Sequence, residues 1–419
     1  MGGLSTWVRR MFGEKEQGRL AASPPGLSGQ PHGLQSFAED QNGFALTLYG
    51  ELLPGSANLF FSPFSIRAAL GMTYAGAGGE TAAQMSRALH FAPAGEAHVA
   101  FGEIIGRLNT AGGDKYEMAV ANSLWGQNGA PLQAGFLNMV ARHYGAAADL
   151  VDFVHRAEAA RVMINQWVGN KTRNKIQELI PSGGVNADTR LVLANAVYFK
   201  GTWALQFAKH STLDEPFYLE GGGEALAPLM RQHEAVRYVQ ADGYQAVDLD
   251  YDGGDLSMLV LLPGKRDGIR DLETRLSTHM LNNCVARMRA REVMLLLPRF
   301  KMNWGVAELR ARLRALGMPL AFDRSQADFS GINGYKPPHE QSLFISAVYH
   351  KAFVEVNERG TEAAAATAMA AVTASFSRLR RRPAFPVFRA DHPFVFAIRD
   401  RTSGAILFLG RVADPTRES

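Results

Sequence analysis

A single cysteine, Cys284, stands among 419 residues. No internal disulfide can form, so the fold is held by its core in whichever redox compartment it occupies. No apolar run approaches the roughly 18 residues of a membrane span, and no apolar stretch follows the first charges as a secretory signal would require. Charge of one sign is not in excess either. Lys and Arg number 44 against 40 Asp and Glu, a net +4, which by itself demands neither a nucleic acid nor an acidic membrane. The usual catalytic constellations are also missing. There is no Gly-x-Ser-x-Gly elbow. His233-Glu234 and His339-Glu340 are not completed to His-Glu-x-x-His, so zinc is unsupported. The run Gly76-Ala77-Gly78-Gly79 lacks the Gly-Lys-Ser/Thr of a phosphate loop and reads as a turn. Nothing in the chain has the pattern of an enzyme.

What is present is ordinary globular composition, 47% hydrophobic and 20% charged. Residues 1–34 read as a flexible tail, with a short basic amphipathic helix over 5–20 and a Pro/Gly/Ser-rich linker after it. Met1-Gly2 with Thr6 fits the myristoylation pattern only loosely. From Ser36, Phe37, Phe44, Leu48 and Leu52 recur at helical spacing. The segment 58–70 predicts a buried strand passing into a helix, and Thr81 starts a second helix. A long helix is expected over 157–180, stopped by Pro181, with the sequon Asn170-Lys-Thr inside it. The run 191–203 predicts a strand buried on both faces, with one amide, Asn195, that needs partners. After Pro216 the texture turns to strands. Segments 244–249 and 256–262 flank the hairpin signal Asp252-Gly-Gly-Asp, and further strands are expected over 293–301, 343–356, 394–398 and 406–409. Helices early and strands late, without regular alternation, predict an α+β fold with a large antiparallel component.

The stretch Glu355 to Ser377 contains the least ordinary pattern. Read at helical period, Thr361 to Ala371 is alanine-rich but lacks the apolar stripe of a packed helix. Read at period two, Thr361, Ala363, Ala365, Thr367 and Met369 share one face and Glu362, Ala364, Ala366, Ala368 and Ala370 the other. Small residues on both faces suit a strand that slides between neighbours already in place. Beyond it, Arg378, Arg380, Arg381 and Arg382 form a basic cluster, either a polyanion site or a solvated, protease-sensitive loop.

The segment Glu355-Val-Asn-Glu-Arg-Gly-Thr-Glu-Ala-Ala-Ala-Ala-Thr resembles the hinge and reactive-centre loop of inhibitory serpins. The resemblance covers nearly everything from Ser36 to Pro415. It also rests, in order, on segment 58–66, Asn165-Gln-Trp-Val with Thr172 and Lys175-Ile176, segment 193–203, Leu296-Leu-Pro-Arg-Phe, Asp328-Phe-Ser-Gly-Ile, His350-Lys-Ala and Ala390-Asp-His-Pro-Phe. It implies an α+β serpin fold of about nine helices and three mainly antiparallel sheets, in one domain over 35–416 with a reactive-centre loop over 358–387. The implied activity is suicide-substrate inhibition of serine endopeptidases, or cysteine endopeptidases. The protease attacks the loop, and the cleaved loop inserts into a sheet and traps the acyl-enzyme. The implied protein is a monomer with no cofactor, metal, nucleic-acid partner or membrane span. Family habit points to an extracellular setting, the missing signal to the cytosol. The alternative is a non-inhibitory carrier or chaperone on the same fold.

By matching position, the hinge comprises Glu358, Gly360, Thr361, Glu362, Ala363, Ala364, Ala365, Ala366 and Thr367. Gly360 lets the backbone swing, and Thr361 is expected near solvent at the loop's root. Glu358 is expected to pair with Arg299 beside Trp203, where the sheet opens (the breach). Ser62, Ser65, Asn195 and His350 match a hydrogen-bond cluster beneath the central strands (the shutter). Counting fourteen residues from the hinge glycine, as in most inhibitory members, places the reactive bond at Ala374–Ser375, which suits elastase-like proteases. Phe376, for chymotrypsin-like targets, and Arg378, for trypsin-like ones, remain alternatives because segment 375–388 is longer than expected.

Overall fold

The computed structural model describes residues 32–53, 57–91, 96–111, 116–129, 131–361 and 385–417. The expected helix over 5–20, the hinge residues Glu362 to Thr367, the bond Ala374–Ser375, the alternatives Phe376 and Arg378, and the cluster Arg378 to Arg382 lie outside them. Helix α1 (His32–Leu52) opens the described chain, followed by β1 (Leu59–Phe61) and α2 (Pro63–Tyr74). Ser62 caps α2 through its hydroxyl, Pro63 sits where its missing N–H costs nothing, and Pro63 to Thr73 are all buried. Next come α3 (Gly79–Ala88), α4 (Glu96–Ala111), β2 (Tyr116–Gln127), α5 (Ala134–Tyr144), β3 (Ala147–Val151) and α6 (Phe153–Lys171). Thr81 lies inside α3 rather than starting it. Its hydroxyl oxygen accepts from the Asp328 backbone N–H instead, at 3.0 Å.

Helix α6 ends well before the expected boundary at Ile180. The Thr172 hydroxyl turns back onto the Val168 carbonyl, and Arg173 and Asn174 take φ of 50° and 61°. Asn165 then accepts from Leu179 N–H and Ile180 N–H and donates to the Ile180 carbonyl. The chain folds back along its own helix, and Ile176, Leu179 and Ile180 stay fully buried without being helical.

Strand β4 (Leu191–Thr202) explains its continuous apolar run by feeding two cores. Leu191, Leu193, Val197 and Phe199 join the main core, while Val192, Ala194 and Ala196 pack into a second cluster beneath α6. The chain continues through β5 (Leu213–Tyr218), β6 (Glu224–Ala241), β7 (Tyr244–Asp250), β8 (Leu256–Pro263), α7 (Ile269–Arg275), α8 (Thr278–Arg287) and β9 (Arg289–Pro298). The single strand expected over 293–301 is broken at Arg299, and β10 (Phe300–Glu308) belongs to a different sheet. Helices α9 (Arg310–Ala315) and α10 (Ser330–Asn333) precede β11 (Ile345–Asn357), β12 (Gly360–Thr361), β13 (Val387–Arg389), β14 (Phe394–Asp400) and β15 (Ile406–Val412).

A six-stranded sheet runs β10-β11-β12-β4-β2-β3. A nine-stranded one runs β1-β15-β14-β8-β7-β6-β9-β13, with β5 also paired to β6. Two of the three sheets implied by the resemblance are thus joined in the second, because the 18-residue β6 passes through both and carries β9 with it. The architecture is α+β, as the resemblance implies, with ten α-helices among the described residues. Most neighbours in the six-stranded sheet are antiparallel. The central pair, β4 and β11, is parallel, from Leu191↔Ile345 to Tyr198↔Phe353.

Candidate functional site

At one end of this parallel pair the chain makes a short excursion. After Asn357 it turns through Glu358 and Arg359, and β12 wedges between β11 and β4. Thr361 lies opposite Val356 and Gly201, and Gly360 opposite Asn357 and Thr202. Gly360 has φ +145°, and a Cβ on it would sit 2.0 Å from the Gly201 carbonyl oxygen. No other residue fits there. Thr361 is fully buried, contrary to the expectation of a solvent-side position, because β12 has already entered the sheet. Its hydroxyl lies 3.0 Å from that of Tyr251. Burial pushes the Tyr251 phenol far up, so it stays protonated and able to donate.

The surrounding contacts fix the turn. Trp203 stacks on Tyr251 at 4.6 Å, and its indole N–H donates to the Asn357 carbonyl at 3.0 Å. The Arg299 guanidinium donates through Nε to Glu358 Oε1 at 2.7 Å and also through Nη2, and the Thr212 hydroxyl donates to the same oxygen at 2.6 Å. Glu358 is 3% exposed. Burial pushes its carboxyl upward, but the hydrogen bonds from Arg299 and Thr212 outweigh it and hold the carboxylate below its usual range. Arg299 is positioned for this because it stands at the break between β9 and β10. The structure therefore brings Trp203, Arg299 and Glu358 together, and adds Thr212 and Tyr251, which the sequence reading missed. The sign for Tyr251 was its place directly before the Asp252-Gly-Gly-Asp hairpin.

Further along the parallel pair lies a polar row inside an apolar sheet. Asn122 on β2 is opposite Asn195 on β4, which is opposite His350 on β11. The Ser62 backbone N–H donates to His350 Nε2 at 3.1 Å, so the proton sits on Nδ1, which donates to Asn195 Oδ1. Asn195 Nδ2 donates to Ser65 Oγ and to Asn122 Oδ1, and the Ser65 hydroxyl donates to Asn122 Oδ1 at 3.0 Å. The Ser62 hydroxyl accepts from Ser65 N–H and donates to the Leu407 carbonyl at 2.8 Å. His350 is completely buried, and burial lowers its pKa to about 3, so the ring stays neutral. The structure brings Ser62, Ser65, Asn195 and His350 into one network. It adds Asn122, whose signal was the polar pair Asn122-Ser123 interrupting the otherwise apolar run 119–125. The row has a satisfied donor for each acceptor and no nucleophile activated by a base. It ties α2 to three strands rather than performing catalysis.

The Serpin (serine protease inhibitor) family model matches residues 39–415. Human leukocyte elastase inhibitor is 38% identical over 392 residues, covering 91% of this chain and all of that protein. Among solved structures, the native stressed conformation of Arabidopsis AtSerpin1 superposes with a TM-score of 0.80 at 28% identity, covering 92% of this chain and 99% of that one. Human thyroxine-binding globulin complexed with its ligand gives a TM-score of 0.80 at 29% identity, covering 92% of this chain and all of the other. With a family model spanning the parallel pair, the wedge and the polar row alike, this chain belongs to the serpin family.

Proposed function

We propose that this protein is an irreversible suicide-substrate inhibitor of serine endopeptidases of elastase-like specificity. The observation that carries the reading is the wedge of Gly360 and Thr361 at the head of the parallel β4–β11 pair. A strand continuing from Thr361 would run antiparallel to both neighbours, replacing one parallel ladder by two antiparallel ones, which pair better per residue. Eight β4–β11 register pairs must part for it. From Gly360 to Ala374 such a strand is ~50 Å long. At ~0.5–1.5 kcal/mol per hydrogen bond, its new ladders contribute on the order of 10 kcal/mol, comparable to a domain's whole stability of ~5–15 kcal/mol. The uncleaved protein is therefore metastable.

Extending the register keeps Ala363, Ala365, Thr367 and Met369 on the inward face with Thr361. Ala364, Ala366, Ala368 and Ala370 would pass beneath α6, where β4 offers only Ala194, Ala196 and Val192. In the reaction, the protease serine Oγ attacks the Ala374 carbonyl, the Ala374–Ser375 bond breaks, and the new amine leaves with a proton. Insertion of the freed strand carries the esterified protease away before water can hydrolyse the ester. The elastase-like preference rests on the small side chain of Ala374 and on the similarity to the leukocyte elastase inhibitors, whose name states their target. A solved relative on the same fold binds thyroxine, but carrying a ligand does not by itself call for the alanine run from Ala363 to Ala366. Incubation with elastase should yield a complex that survives boiling detergent, and elastase-cleaved protein should melt well above the uncleaved form. Cleavage that produces neither would sink the inhibitory reading.

A further inference from the structure

At the end of the six-stranded sheet opposite Gly360, where β4 and β11 begin, lies a cleft of about 850 Å3. A smaller one of about 300 Å3 adjoins it, sharing Arg310 and Phe344. Four arginines, Arg190, Arg310, Arg314 and Arg324, line the larger cleft. Their charge is poorly answered. The Arg190 guanidinium donates to the carbonyls of Ala187 and Thr189, at 2.9 and 3.0 Å. Arg310 reaches the Ser346 and Phe322 carbonyls at 3.4 and 3.3 Å. The Arg314 side chain makes no hydrogen bond or ion pair among the described residues. Glu340 also lines the larger cleft, and Glu308 the smaller one, where its Oε1 accepts from the Arg310 backbone N–H. The other nearby acids are already engaged. Asp188 is paired with Arg324 at 3.1 Å, and Asp323 Oδ1 accepts from Ser325 and Gln326. A guanidinium presents a planar fork of donors that fits a carboxylate with two parallel bonds.

We propose that this cleft receives the α-carboxylate that proteolysis creates on Ala374. The inference rests on the insertion reading above and deepens it. Thirteen residues on from Thr361, Ala374 lies three residues past the strand starts. It is level with Asp188 on the β4 side and, with the extra residue Ser346 in the β4–β11 register counted, with Ser342 on the β11 side, which lines the larger cleft. Leu343 and Phe344 line the larger cleft, and Asp188 lines the smaller. The inserted strand therefore ends at the arginines. Hydrolysis of the Ala374–Ser375 bond, directly or through the ester, consumes one water. It leaves a carboxylate on Ala374 and an amine on Ser375. The anion forms on the residue that the sheet delivers to Arg190, Arg310 and Arg314. While the protease is still attached as an ester, that charge does not exist, so the cleft favours the hydrolysed inhibitor over the trapped complex.

The test uses full-length uncleaved protein and a synthetic peptide spanning residues 361–374, made with either a C-terminal carboxylate or a carboxamide. Annealing is followed by native electrophoresis, and release by dilution. One charge-assisted hydrogen bond corresponds to about a tenfold difference in retention, so the acid should be held about tenfold longer than the amide. The gap should close in ~1 M salt and in Arg314→Gln, whose exposed side chain has no partner to lose. Arg190→Gln is the second variant and should narrow it too. Equal retention of acid and amide overturns the carboxylate site while leaving insertion standing. If neither peptide anneals, the insertion reading itself fails, and this proposal with it.

Discussion

Replacing Thr361 by Arg puts the trap under its most direct test. Thr361 is fully buried between β11 and β4 with its hydroxyl on Tyr251, so a guanidinium there is a buried charge without a partner, costing several kcal/mol. The cheaper response is to expel β12. That forfeits four register pairs, about 2–4 kcal/mol at ~0.5–1 kcal/mol each. The uncleaved variant should therefore fold and melt a few degrees below wild type. The larger effect comes after acylation. The arginine must then re-enter the inward face before the strand can zip, and an added barrier of ~3 kcal/mol slows insertion roughly a hundredfold. Deacylation then wins the race. Elastase should cleave the variant stoichiometrically as a substrate, with almost no detergent-stable complex, while wild type forms complex at close to one protease per inhibitor. If Thr361→Arg forms that complex as efficiently as wild type, the inward face is not what enters the sheet, and the argument from the wedge is wrong.

Two further outcomes are expected. Ala374→Arg should shift inhibition from elastase-like to trypsin-like proteases at unchanged melting temperature. Mass spectrometry of the fragment that elastase releases from wild type checks the register, and cleavage after Val372 or Phe376 would overturn it. His350, at about 3 in the folded state against 6.5 when unfolded, takes up its proton only on unfolding over that window. Stability should therefore fall as pH drops below about 6.5, by ~1.4 kcal/mol per unit from this proton. Denaturant titrations between pH 7.5 and 5 should show a shallower slope for His350→Gln, since the Glu358 contribution is lost only at lower pH, and equal slopes would refute the assignment.

Much of this was legible in the chain because the physical demands are local. The run of β4 from Leu191 to Phe199 is apolar apart from Asn195 because both its faces are covered, and the hinge has alanine at four successive positions, 363–366, as a strand that had to slip past side chains on both faces would need. What was not legible is where local pattern and tertiary contact diverge. Ile176, Leu179 and Ile180 keep helical spacing yet fold back on α6, because Thr172 and Asn165 take up the hydrogen bonds that the helix gives up. The break at Arg299 is invisible in an otherwise continuous strand pattern, since only the pairing of its backbone N–H with Pro228 and its side chain with Glu358 requires it. Thr361 read as solvent-side because sequence shows a loop's root but not how far it has already entered the sheet. The arginine-lined cleft assembles residues from 190 to 324, which no sequence window holds together.

The polar row sharpens why one register, and not its neighbour, should be built into the hinge. Asn122, Asn195 and His350 lie in an apolar sheet, and parting β4 from β11 breaks the bond from His350 Nδ1 to Asn195 Oδ1. A buried acceptor left unpaired costs ~1–3 kcal/mol, so an inserting strand made only of alanine would meet a penalty at that row. Six residues on from Thr361, counting back six along each neighbour, the register delivers Thr367 to Asn195 and His350. On the inward face between Thr361 and Met369, Ala363, Ala365 and Met369 carry no hydroxyl. Thr361 and Thr367 do, and they fall at Tyr251 and at the polar row, the two places where a hydroxyl has partners. A slip of one residue would bring Ala366 or Ala368 there and turn the hydroxyls to the other face. On the insertion reading, the two threonines would then act as register marks, fixing how far the strand has travelled.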